Sequence, residues 1–77
     1  MSTKAEQILA GLGGADNIIE MEACITRLRT EVHDPAKVDQ AALKKAGAMG
    51  VMAAGKTVQV VVGPEADTLA EDIEDLM

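Results

Sequence analysis

The chain has 77 residues, a formal net charge of −6 and no aromatic side chain. A chain of this length buries only about 60% of the surface its unfolded form exposes, so it supports one modest aliphatic core and a single site. An acidic chain without Phe, Tyr or Trp lacks both the cationic surface and the stacking platforms that nucleic-acid binding uses, and nucleic acid is excluded as a partner.

Thr3-Lys4-Ala5-Glu6 has the pattern of a capping box, and Ala5, Ile8, Leu9 and Leu12 behind it form the stripe of an amphipathic helix. Gly11, Gly13 and Gly14 end that helix, with Gly13 or Gly14 able to take the left-handed cap. Gly-Leu-Gly-Gly lacks dinucleotide-binding spacing and follows a helix instead of a strand, so a phosphate-loop reading is weak. Asp16 and Asn17 turn the chain into a first strand, Ile18 to Ala23, in which apolar residues alternate with carboxylates. Leu28, Thr30 and Val32 alternate with Arg27, Arg29 and Glu31 in the same rhythm and predict a second strand. Two strands so close in sequence form a hairpin, with Cys24 expected at the bend.

Asp34-Pro35 stops the second strand, because proline cannot donate to a ladder. Asp39 is the N-cap of a second helix of about two turns, with Val38 and Leu43 in staple positions and Gly47 where a C-terminal cap belongs. Gly50 to Ala54 reads as a short strand, Gly55-Lys56 as a turn and Thr57 to Val62 as a β-rich strand. Gly63-Pro64 closes it and starts a last helix, whose buried stripe is Ala66, Leu69, Ala70 and Ile73. Glu65, Asp67, Glu71, Asp72, Glu74 and Asp75 read as its solvated face, without a clustered partner, and not as a metal site. The expected fold is α+β, in the order α-β-β-α-β-β-α, with a four-stranded, largely antiparallel sheet and helices covering one face. No repeat or linker interrupts residues 1–77, which are expected to form a single domain.

The chemistry gathers at Cys24-Ile25-Thr26-Arg27-Leu28-Arg29, which holds the only cysteine. Side chains alternate along a strand, so Arg27 and Arg29 project from one side, close to the thiol. Glu20, Glu22 and Glu31 have the parity to share that open face. A thiol beside two guanidinium groups is a nucleophile whose anion is partly stabilised in advance, and the same forks can hold a phosphoryl group once sulfur carries one. A lone cysteine is most often a small buried hydrophobe, and its place beside the arginines weighs against that here.

Two other features are set aside. Gly50-Val51-Met52-Ala53-Ala54-Gly55-Lys56-Thr57 fits the nucleotide-binding loop pattern, but strand residues follow the lysine where that mechanism needs a helix. His33, the only imidazole, lies about 20 Å along the strand from Arg27 and reads as a surface residue, not as a base for the thiol. A nucleophile with anion binders and no base is what a relay looks like when its phosphoryl donor and acceptor are both other molecules. No apolar run approaches the ~20 residues of a membrane span and no signal-peptide apolar region follows Met1-Ser2-Thr3-Lys4, so a soluble, cytoplasmic location is expected. A single free cysteine suits that reducing compartment.

These residues resemble the B domains (EIIB) of bacterial sugar phosphotransferase systems, glucose and N-acetylglucosamine branch. The likeness runs through Gly13-Gly14 before Asn17-Ile18, Cys24 to Arg29, Val38-Asp39 leading to Leu43-Lys44, Gly47-Ala48 with Gly50-Val51, and Val58-Gln59 ahead of Gly63. Thr30 departs from it, standing where the family usually has an apolar residue, with slightly weaker strand packing as the expectation. The resemblance implies that Cys24 takes a phosphoryl group from a phosphohistidine of the A component (EIIA). It then passes the group to a hexose, N-acetylglucosamine or glucose, held by the membrane C component (EIIC). The backbone N–H groups of Ile25, Thr26 and Arg27 would cradle the phosphoryl oxygens. Arg27 and Arg29 would stabilise the transferred charge, chiefly in the step to sugar, and Gln59 would add a side-chain contact. No metal or other cofactor is implied. Association with the inner face of the membrane would come through EIIC. Family chains often fuse A, B and C domains; Met1-Ser2-Thr3 reads as a natural start, so a single-domain component is expected instead of an excised piece. The reading from a different class is a non-catalytic anion-binding or regulatory module of the same α+β fold.

Overall fold

A computed structural model describes residues 3–77. Helix α1 (Lys4–Gly11) precedes a hairpin of β1 (Ile18–Cys24) and β2 (Arg27–Val32). Helix α2 (Gln40–Lys45) leads to a second hairpin of β3 (Gly50–Ala54) and β4 (Thr57–Val61), and α3 (Ala66–Leu76) ends the chain. Short 3₁₀ turns at Ala15–Asn17, Pro35–Lys37 and Gly63–Glu65 join them. The two hairpins associate through their inner strands, giving the order β1-β2-β4-β3 with every neighbouring pair antiparallel. The α+β expectation therefore holds, and the sheet is antiparallel throughout.

The helices form where their ends are chemically closed. Thr3 accepts a hydrogen bond from the Glu6 amide and Asp39 accepts one from the Ala42 amide, each satisfying an amide that the first turn leaves without a partner. Both helices finish in the same six-to-one pattern. The Gly14 amide donates to Leu9 O at 2.9 Å and the Ala48 amide to Leu43 O at 3.1 Å. The residue before each donor, Gly13 at φ 101° and Gly47 at φ 110°, takes the left-handed conformation that this motif needs. In α3 the buried residues are Ala66, Leu69, Ala70 and Ile73, the expected stripe, while its carboxylates are exposed. One of the acidic residues read as unpartnered does find a partner: Lys4 Nζ lies 2.7 Å from Glu65 Oε2, linking α1 to the entry of α3.

Strand β2 alternates exposed and buried residues without a break, and with β4 it forms the middle of the sheet. Leu28, Val32, Val58 and Val60 face a core completed by Ile8, Leu12, Leu43 and Ile73. At about 25 cal/mol per Å² of apolar surface removed from water, this inner layer supplies most of the driving force for docking the helices. Helix α3 packs on β1, β2 and α1, and α2 packs on α1 and β3. Gly11 lets α1 and α2 approach closely, since a Cβ there would lie 2.8 Å from Leu43 Cδ2.

Two buried polar residues stand out. Asn17, read from sequence as a turn residue, is only 2% exposed and ties three segments together. Its Nδ2 donates to Leu12 O at 2.8 Å and Asp34 O at 3.1 Å, and its Oδ1 accepts from the Asp34 amide at 2.9 Å. Thr30 is fully buried, and its hydroxyl has no hydrogen-bond partner among the described residues. An unpaired buried hydroxyl costs roughly 1–3 kcal/mol. Thr30→Val is therefore expected to stabilise the protein by about 1 kcal/mol, a rise of roughly 4–8 °C in Tm for a chain of this size, measured by thermal unfolding. Asn17→Ala leaves the Leu12 carbonyl and the Asp34 amide without partners, while Asp34 O keeps the Lys37 amide, and urea unfolding is expected to show a loss of about 2–4 kcal/mol.

Candidate active site at the first hairpin

The turn is shorter than the sequence suggested. Cys24 is not at the bend: it is the last residue of β1, paired across the ladder with Arg27, and Ile25-Thr26 alone make the connection. A two-residue link of antiparallel strands needs a residue outside the usual right-handed and extended regions, and Ile25 supplies it at φ 52°. For a β-branched side chain this is a strained conformation, of order 1–3 kcal/mol. Ile25 is also 87% exposed, so packing does not compensate it. The turn is fixed from the other side, because the Val62 and Gly63 amides both donate to Thr26 O, at 2.9 and 2.8 Å. Among the described residues, the Ile25 and Thr26 amides have no acceptor of their own.

Register turns the open face of the sheet into three rows. At the turn end stand Cys24, Arg27, Val61 and Gly50; next come Glu22, Arg29, Gln59 and Met52; furthest away are Glu20, Glu31, Thr57 and Ala54. Cys24, Arg27 and Arg29 therefore share one face, as strand parity predicts. Cys24 is half-buried and its thiol is free, while both arginines are exposed and neither is ion-paired among the described residues. Arg27 Nη1 donates to Gln59 Oε1 at 2.9 Å. Cys24, Ile25, Thr26, Arg27, Arg29 and Gln59 line one open cavity of about 330 Å³. Arg29 also borders a second recess, of about 180 Å³, with Glu20, Glu22 and Glu31. The structure thus brings together every residue proposed from sequence for the site.

His33 and the Gly55-Lys56 turn lie at the other end of the sheet, beyond the third row. Residues Gly50 to Thr57 are β3, its turn and the first residue of β4, so a strand and not a helix follows Lys56 and the nucleotide-loop pattern is a coincidence of letters. Two parts of the site were not visible in the sequence. One is the Gln59 contact to Arg27, which depends on β4 lying beside β2. The other is the carboxylate wall next to Arg29: parity placed Glu20, Glu22 and Glu31 on the open face, and only the register sets Glu22 opposite Arg29.

Chemically, the cavity offers a reachable sulfur, two guanidinium forks and two unpartnered amides within one small surface. That set suits a tetrahedral dianion bonded to the sulfur, with planar forks and amides as donors to its oxygens.

The family model for "phosphotransferase system, EIIB" matches residues 6–39, a stretch that contains Cys24 to Arg29. The N-acetylglucosamine-specific EIIB component of Streptomyces coelicolor is 64% identical over 77 residues, covering all of both chains. The glucose-specific EIICBA component of Staphylococcus carnosus is 45% identical over 71 residues, 92% of this chain but 10% of that longer protein. Among solved structures, one domain of the phosphotransferase system IIabc component from Clostridium difficile superimposes with a TM-score of 0.79 at 25% identity, covering 96% of this chain and 78% of that one. On sequence over its full length, and on fold, the chain belongs to the EIIB family of the phosphotransferase system.

Proposed function

We propose that residues 1–77 are one EIIB domain acting as a phosphoryl carrier in sugar uptake, with Cys24 as the carrying residue. The observation that carries this reading is the shared cavity of Cys24, Arg27 and Arg29 at the turn end of the open face. The Cys24 thiolate attacks the phosphorus of a phosphohistidine on EIIA; an S–P bond forms, the P–N bond breaks, and the imidazole leaves with the electron pair. In the second step a hydroxyl oxygen of the sugar attacks the same phosphorus. The S–P bond breaks, the thiolate is regenerated, and the hydroxyl proton passes to a base outside this chain. Alignment and fixed charge supply the catalysis: the Ile25 and Thr26 amides and the Arg27 and Arg29 forks hold the phosphoryl oxygens, with the Arg27 amide at the ladder position opposite Cys24 and the Gln59 amide adjoining them. The partners are a phosphorylated EIIA protein and a membrane EIIC transporter that holds the hexose. No described helix is long and apolar enough to cross a membrane. We place the domain in the cytoplasm, at the inner face of the membrane through EIIC.

Of the two candidate sugars, N-acetylglucosamine is favoured, because the N-acetylglucosamine-specific component of Streptomyces coelicolor matches this chain from end to end at 64% identity.

Incubation with a phosphorylated EIIA component, read by intact mass, is expected to add one phosphoryl group to the native chain and none to Cys24→Ser. If the native chain stays unlabelled where an established EIIB protein labels, the carrier reading fails and the non-catalytic anion-binding module takes its place. Arg27→Lys and Arg29→Lys are expected to accept the group normally yet pass it to sugar at least about tenfold more slowly, since an ammonium cannot reproduce a two-point grip. Equal sugar phosphorylation by the native chain and both variants would remove the arginines from that step.

A further inference from the structure

The two arginines of the site are directed to different neighbours. Arg29 stands between Glu22 on β1 and Gln59 on β4 in the same row, and it borders the recess lined by Glu20, Glu22 and Glu31. Gln59 is therefore the direct cross-strand partner of Arg29, yet its side-chain oxygen accepts from Arg27, one row nearer the turn. Arg27 has Cys24 on one flank and Val61 on the other, and valine offers no polar atom. The diagonal bond draws the Arg27 guanidinium to the β4 side of its own strand, while the thiol stays on the β1 side. Cys24 and the Arg27–Gln59 pair thus border the same cavity from opposite flanks of β2.

We infer that Gln59 is a positioning residue for Arg27, holding that guanidinium in place across the cavity before any phosphoryl group arrives. An untethered arginine on an exposed strand samples many rotamers, and ordering it during transfer slows the reaction; a neutral acceptor at fixed reach removes part of that ordering without neutralising the charge. The amide orientation follows from the same contact. With Oε1 committed to a donor-only guanidinium, the one side-chain bond described for Gln59 runs to Arg27, and its part in the site is assigned through Arg27. The catalytic consequence rests on the carrier reading, whereas the tether rests on the geometry alone.

The test compares the native chain with Gln59→Leu, Arg27→Ala and the double variant. Each is phosphorylated on Cys24 and followed through a single turnover to N-acetylglucosamine with a membrane EIIC component. Gln59→Leu is expected to slow the step about fivefold to tenfold. Arg27→Ala should slow it further, and the double variant should match Arg27→Ala alone. In parallel, ¹⁵N NMR of the unphosphorylated proteins follows the arginine side chains. Hindered rotation should keep the Arg27 Nη–H signals apart in the native chain, merge them in Gln59→Leu and restore the separation in Gln59→Glu, which keeps an acceptor. Multiplying effects in the double variant would show Gln59 acting on the phosphoryl group by itself and overturn the inference. So would a native transfer rate in Gln59→Leu, or Arg27 signals indifferent to residue 59. If the native chain takes no phosphoryl group at all, the carrier reading has failed, and the NMR comparison alone decides the tether.

Discussion

The alternation along β2 governs both halves of the molecule. Leu28, Thr30 and Val32 point into the core, while Arg27, Arg29 and Glu31 point out, and β2 is hydrogen-bonded on both sides. Because the side-chain period of a strand is two, a slip of one residue would exchange the sets, burying two guanidinium groups and exposing Leu28 and Val32. Burial of the aliphatic set thus holds the arginines on the face where the thiol lies. Core formation sets Cys24 and Arg27 side by side on one face, and the Gln59 contact then fixes where the Arg27 guanidinium lies.

The helical layer reinforces this indirectly. Asn17 joins the end of α1 to the end of β2 by three hydrogen bonds, and the Asp39 amide donates to Gly11 O at 2.7 Å, tying the start of α2 to the same corner. The opposite corner is closed by Thr26 O, which accepts from the amides of Val62 and Gly63. Both ends of β2 are therefore fixed by groups outside its own hairpin. Against such anchoring, the orphan hydroxyl of Thr30 and the strained backbone of Ile25 are tolerated costs.

Local physics made most of the fold readable from the residues. The capping side chains Thr3 and Asp39, the glycines after α1 and α2, the alternation in β2 and the stripe of α3 each act within a few neighbouring residues and appear where the pattern placed them, whereas β1 is less regular, with Ile19 exposed and the register shifted between Ile18 and Glu20. Features that depend on distant segments were hidden. Nothing local says that β4, and not β3, lies beside β2, so the pairing of Arg29 with Gln59 and the reach of Arg27 to Gln59 could not be seen. Lys4 and Glu65 are brought together by packing in the same way. The misplaced bend has a different cause. An isoleucine is among the last residues that propensity would put at positive φ, so nothing local marks Ile25-Thr26 as the two-residue turn.

The three rows of the open face also amount to a gradient of potential. Arg27 and Arg29 stand towards the turn, Glu20 and Glu31 face one another at the far end, and the chain as a whole carries −6. An anionic visitor is thus repelled by the molecule at a distance and attracted only near the turn, with a crossover set by the Debye length of about 8 Å at physiological salt. Such a field exerts torque: it rotates an approaching anion so that its charge meets the turn end first. Moderate salt should then ease the initial approach while loosening the final grip, so encounter rate and complex lifetime respond to ionic strength in opposite senses.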